Sequence, residues 1–83
     1  MILDAEILKQ VNQIFIDVLD NENIALKRET VAKDVEEWDS LTHIQLIVAV
    51  EKNFKIRFTT AEIQGFKNVG HFCDEIQRKL SAL

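Results

Sequence analysis

Asp39, Ser40 and His43 fall within five consecutive positions of this 83-residue chain, and those three side-chain types are the raw material of an orienting acid, a nucleophile and a base. The spacing argues against that use. A working triad needs the histidine to receive the serine proton while a separate, buried carboxylate orients it. Asp39 instead adjoins Ser40 in a polar turn, and no G-x-S-x-G elbow surrounds the serine. A helical chain of this length also has little room for a water-excluding pocket. Catalysis is therefore not expected, and His43 reads as a residue at the edge of the core. Another chemistry suits Ser40 better. It stands where a helix should begin, as an N-cap whose hydroxyl accepts from the free N–H groups of the first turn. A hydroxyl there lies at the surface beside the positive end of the helix dipole, where a phosphate is electrostatically favoured. Capping and modification are both open to the same oxygen.

The segment that positions this serine runs from Glu37 to Phe54, EWDSLTHIQLIVAVEKNF, with no helix breaker after Ser40. Projected at about 100° per residue, its apolar side chains separate into two groups. Leu46, Ile47, Val50 and Phe54 form one side, with His43 among them. Leu41, Ile44 and Val48 form a second stripe at i, i+3, i+7. A surface helix needs only one apolar face to pack on its own domain. The second is covered by the preceding loop, fills a cavity or is left exposed for a partner, and beside a phosphate-competent serine the partner is the functional reading.

The run Asp39-Ser40-Leu41, the apolar helix that ends in Glu51-Lys52-Asn53-Phe54 and then Ile56, and a Val69-Gly70 pair at the start of a last helix together resemble an acyl carrier protein. The three-residue motif arises by chance, but the resemblance runs in register over nearly the whole chain. It implies that Ser40 carries a 4′-phosphopantetheine arm, added from coenzyme A by a phosphopantetheinyl transferase with magnesium. It further implies that Asp39 helps the transferase recognise the motif, that Leu41, Ile44, Val48 and the acid Glu51 meet partner enzymes, and that cargo travels as a thioester on the arm. The core side, Leu46, Ile47, Val50 and Phe54, could part to shelter an apolar cargo. Such a protein is a carrier and not an enzyme; its partners are the transferase and the acyl-loading and acyl-processing enzymes.

The departures from the family are as informative. Carriers of housekeeping fatty-acid biosynthesis usually place acids along the recognition helix, where this chain has Thr42, Gln45 and Lys52. Trp38 stands where many of them have a small residue. The expectation is a stand-alone carrier of a specialised pathway, such as polyketide, modified-lipid, sugar-acylation or aminoacyl transfer chemistry. The alternative is a non-enzymatic helical interaction module, with Ser40 only a helix cap and the second stripe a groove for a partner helix.

Composition sets the outer bounds. The chain is long enough for one domain, 1–83, and not for two. Its single cysteine, Cys73, excludes an internal disulfide, and no Cys/His cluster has zinc-site spacing, so no metal is expected and a reducing, cytoplasmic setting is. There is no signal peptide and no apolar run that could span a bilayer. A net charge of −4 disfavours nucleic acid, which needs a basic face, and taken over the whole chain favours partners with positive patches. A monomer is expected.

Absence of proline and only two glycines point to an all-α chain. Asp4 caps a first helix that runs to about Leu19, with Ile7, Val11, Ile14 and Val18 recurring at helical spacing, joined by Leu3, Leu8 and Phe15. A long polar connection follows from Asp20 to Asp39, pinned by Ile24, Leu26, Val31, Val35 and Trp38, and such long connections tend to be functional. The second helix runs from Ser40 to about Asn53. Lys55 to Phe58 alternates like a strand but has no partner strand, so it is an extended connector. Thr59-Thr60-Ala61-Glu62 has the form of a capping box before a single helical turn, and Phe66 anchors the next loop. Asn68 caps a last helix whose stripe is Val69, Phe72, Cys73, Ile76 and Leu80, with Arg78 and Lys79 suited to its negative end. Three long helices and one short one make a four-helix bundle of the acyl carrier protein type.

Overall fold

The computed structural model describes residues 4–82. Four helices follow in order: α1 (Asp4–Leu19), α2 (Ser40–Phe54), the short α3 (Thr60–Gln64) and α4 (Val69–Ser81), with no strand among the described residues. The bundle has the expected architecture of three long helices, one short helix and a long first connection. Asp4 is not the expected cap but is itself helical; Leu3 lies outside the described residues.

Each long helix contributes one buried stripe to a common core. From α1 come Ile7, Val11, Phe15 and Leu19, an i, i+4, i+8, i+12 row, with Ile14 and Val18 only partly covered beside it. From α2 come Leu46, Ile47, Val50 and Phe54, and from α4 Val69, Phe72, Cys73 and Ile76. α1 packs against both α2 and α4. Burying these side chains fully is worth roughly 1.5–3 kcal/mol each against leaving them in water, which is the main favourable contribution to holding so short a chain together.

The connection from Asp20 to Asp39 has more order than its polar sequence suggests. Asp20 ends α1 in the left-handed region at φ 53°. Ala32–Asp34 form a 3-10 turn that periodicity does not reveal. Ile24, Leu26, Val35 and Trp38 are buried against the bundle, while Val31 is only partly covered. Polar groups complete the attachment. The Asn12 side chain donates to the Ile24 carbonyl at 3.3 Å and accepts from the Leu26 N–H at 2.7 Å. At the other end, Gly70 N–H donates to the Arg28 carbonyl at 2.7 Å and Val69 N–H to the Thr30 carbonyl at 2.9 Å. Two free donors at the start of α4 are thereby used to hold the loop.

Beyond α2, Lys55 takes the left-handed conformation at φ 58°, with its N–H donating to the Glu51 carbonyl. The chain continues extended to Phe58, whose N–H donates to the Glu51 carboxylate at 2.9 Å. α3 then starts as its sequence predicts. Thr59 caps it by accepting from the Glu62 N–H, and the Glu62 carboxylate accepts from the Thr59 N–H at 2.8 Å. Asn68 caps α4 by accepting from the His71 N–H at 2.8 Å. Arg78 and Lys79 are engaged by carboxylates at the end of α4: Arg78 pairs with Glu62 and Glu75, and Lys79 with Glu62.

Candidate functional site

The start of α2 corrects one expectation. Ser40 is not the N-cap; Asp39 is, and Ser40 is the first helical residue. Asp39 Oδ1 accepts from the Leu41 N–H at 3.0 Å and the Thr42 N–H at 2.9 Å, while the Asp39 N–H donates to Thr42 Oγ1 at 2.8 Å. An ionised carboxylate is a stronger acceptor than a hydroxyl, and Thr42 three residues on closes the reciprocal arrangement, so the acid wins the position. The bond from the Thr42 N–H is the chief cause holding the Asp39 carboxyl below its ordinary range. Thr42 Oγ1 also donates to the Glu37 carbonyl at 2.7 Å, tying the turn before the helix to its first turn.

Ser40 is left exposed, and its hydroxyl has no hydrogen-bond partner among the described residues. The reading of this serine as only a helix cap therefore fails. Two first-turn N–H groups are already taken by Asp39, so a phosphate on Ser40 would feel the field of the helix end without sitting in a cradle made of those donors.

Both nitrogens of His43 are committed elsewhere. Trp38 Nε1–H donates to His43 Nδ1 at 3.0 Å, so Nδ1 carries no proton. The neutral ring then carries its proton on Nε2, which donates to the Ile63 carbonyl at 3.0 Å. No hydrogen bond joins His43 to Ser40, and the Asp39 carboxylate is spent on capping. The Ser, His and Asp of the sequence do not assemble into a triad. Trp38 is buried edge-on against Phe15, with ring centroids 4.9 Å apart. It carries the strut from α1 through His43 to α3.

Trp38 and His43 form the inner wall of a cleft of about 390 Å³ that opens beside Ser40. Ile63, Gln64, Phe66 and Lys67 supply its other side. Sequence reasoning put His43 at the edge of the core and read Trp38 and Phe66 only as loop anchors; it missed Ile63, Gln64 and Lys67 here, whose positions in a short helix and a loop carry no periodic signal.

The second stripe of α2 lies at the surface. Leu41 is 71% exposed, Ile44 51% and Val48 43%. Glu51, on the same helix, is half-buried and turns its carboxylate to the Phe58 N–H. No group of three or more metal-ligating side chains occurs among the described residues, and no described helix is long and apolar enough to cross a membrane.

A four-helix bundle with an unengaged serine hydroxyl at the start of its second helix, and greasy side chains displayed along that helix, has the layout of a carrier. Its Ser, His and Asp side chains are not assembled for catalysis. No family model matches the chain. A solution NMR structure of a holo acyl carrier protein from Geobacter metallireducens is similar to it with a TM-score of 0.85, at 44% identity over 90% of this chain and 86% of that one. The chain belongs to the acyl carrier protein family.

Proposed function

We propose that residues 1–83 form a single monomeric carrier domain that holds acyl or aminoacyl cargo on a 4′-phosphopantetheine arm at Ser40 and delivers it to partner enzymes in the cytoplasm. The observation that carries this reading is the exposed Ser40 hydroxyl, free of internal bonds at the first position of α2 while Asp39 does the capping. The arm, when bound, supplies a thiol that holds cargo as a thioester. The protein's own residues do the rest. Asp39 and Thr42 fix the helix start, so Ser40 projects in one direction. The cleft lined by Trp38, His43 and Phe66 offers a partly apolar surface within reach of the attachment point, and Lys67 adds a cation near a phosphodiester. Tethering raises the effective concentration of cargo at each docked active site. Leu41, Ile44 and Val48 serve as the docking face for the phosphopantetheinyl transferase and for acyl-loading and acyl-processing enzymes. Asp39 and Glu51 flank that face. The exposed side chains of α2 include no carboxylate, which favours a specialised pathway over bulk fatty-acid synthesis.

The test is direct. Incubating the apo protein with coenzyme A, magnesium and a broad-specificity phosphopantetheinyl transferase should add the mass of one arm, and Ser40→Ala should abolish the gain. No gain with several transferases would refute the carrier reading.

A further inference from the structure

Resting on the carrier reading, we propose that the partner enzymes of this protein meet its α2 face with a carboxylate-rich patch, complementary to a basic hollow at the far end of the exposed stripe. Beyond Val48 the surface opens into a hollow of about 470 Å³ lined by Val48, Glu51, Lys52, Lys55, Ile56 and Arg57. Arg28, Arg78 and Lys79 are engaged in ion pairs with carboxylates. Lys52, Lys55 and Arg57 make none among the described residues, and all three are exposed. The carboxylate of Glu51, the acid of the hollow, is bonded to the Phe58 N–H.

The backbone concentrates these cations at one place. Lys55 occupies the left-handed position that ends α2, a site where glycine or asparagine is the ordinary choice and a lysine carries a conformational cost. The turn there brings Arg57 round to the hollow that Lys52 lines from the helix. The serine end of the same helix has the opposite sign, with Glu36, Glu37 and Asp39 preceding Ser40. The docking face is thus polarised along α2: acidic at the arm, apolar through Leu41, Ile44 and Val48, basic at the foot. From Ser40 to Lys52 the helix rises about 18 Å. A partner that takes the arm into its active site must place acids about that far from the channel mouth.

Two synthetic amphipathic helices sharing one leucine face, one flanked by glutamates and the other by lysines, test the proposal against 15N-labelled holo protein. Intact mass verifies the arm on the same sample. The glutamate helix should bind, moving the amide signals of Leu41, Ile44, Val48, Lys52, Lys55 and Arg57. Its affinity should fall about tenfold in the triple variant Lys52→Glu, Lys55→Glu, Arg57→Glu, as expected for three exposed charge pairs, and the lysine helix should gain in that variant. Lys55→Gly removes one cation at a position suited to glycine, so it should weaken binding without lowering the melting temperature. Equal binding of the two helices, signals moving on another face, or displacement of the glutamate helix by phosphatidylglycerol vesicles would overturn the docking proposal while leaving the carrier reading intact. Failure to gain the arm would overturn both.

Discussion

Replacing Gly70 by alanine tests how the long first connection is held. Gly70 has no positive φ, so its role is to provide space, not conformational freedom. A Cβ at this position would sit 2.9 Å from the Arg28 carbonyl oxygen and 3.2 Å from Arg28 Cβ. The first of these neighbours is backbone, so relief requires the loop to move. Alanine in a helix is worth up to about 1 kcal/mol over glycine, and less near the first turn. Against that stand the two hydrogen bonds from Gly70 and Val69 to the Arg28 and Thr30 carbonyls, about 1 kcal/mol each. Displacing Arg28 also disturbs its pairs with Asp4 and Asp74, both 2.8 Å, which are exposed and worth little. The balance is a loss of about 1–2 kcal/mol, which lowers the melting temperature by roughly 5–10 °C in a domain of this size. Circular dichroism melts give the size of the effect. An amide spectrum should show the change spreading from Gly70 to the loop around Arg28 and Thr30, with Ile7 and Val11 unmoved. A variant that melts at or above the wild-type temperature would refute the clasp, because helix propensity would then outweigh every contact the loop makes there.

Two further outcomes follow from the polar and sulfur groups. The Thr59 N–H, and after it Lys79, hold the Glu62 carboxyl at about 2 against an ordinary 4.5. A folded-state value below the unfolded one means that the unfolded chain binds the extra proton, so this contribution is complete above about 4.5 and is lost as pH falls towards about 2. Glu62→Gln should accordingly flatten the acid limb of a melting-temperature profile in that window, and an unchanged limb would count against the network joining α3 to α4. Burial pushes the Cys73 thiol up to about 12, so a disulfide reagent at pH 8 should leave it unmodified in the folded protein and react only after denaturation; rapid native labelling would contradict its place in the core.

The sequence could show the bundle because each long helix advertises one buried face by local spacing, and local spacing survives projection. Ile7, Val11 and Phe15, or Phe72, Cys73 and Ile76, are readable without knowing what they touch. The exposed stripe was readable for the same reason: Leu41, Ile44 and Val48 exceed what one core-facing side can use. The cap was harder, because Asp39 and Ser40 are adjacent and both are good cap residues; what decides between them is Thr42, three positions after Asp39, which closes the reciprocal pair. What the sequence could not show was anything held by distant partners. The loop's order depends on Asn12 and on the backbone of Val69 and Gly70, and His43 depends on Trp38 and on a carbonyl in α3. Those dependencies place the same few residues in two roles. Trp38 packs on Phe15 and also sets the His43 tautomer, so the wall of the cleft beside Ser40 is an extension of the core. A carrier built this way exposes Ser40 above a wall continuous with the core, and changes to that wall will register as loss of stability before they register as loss of the proposed loading.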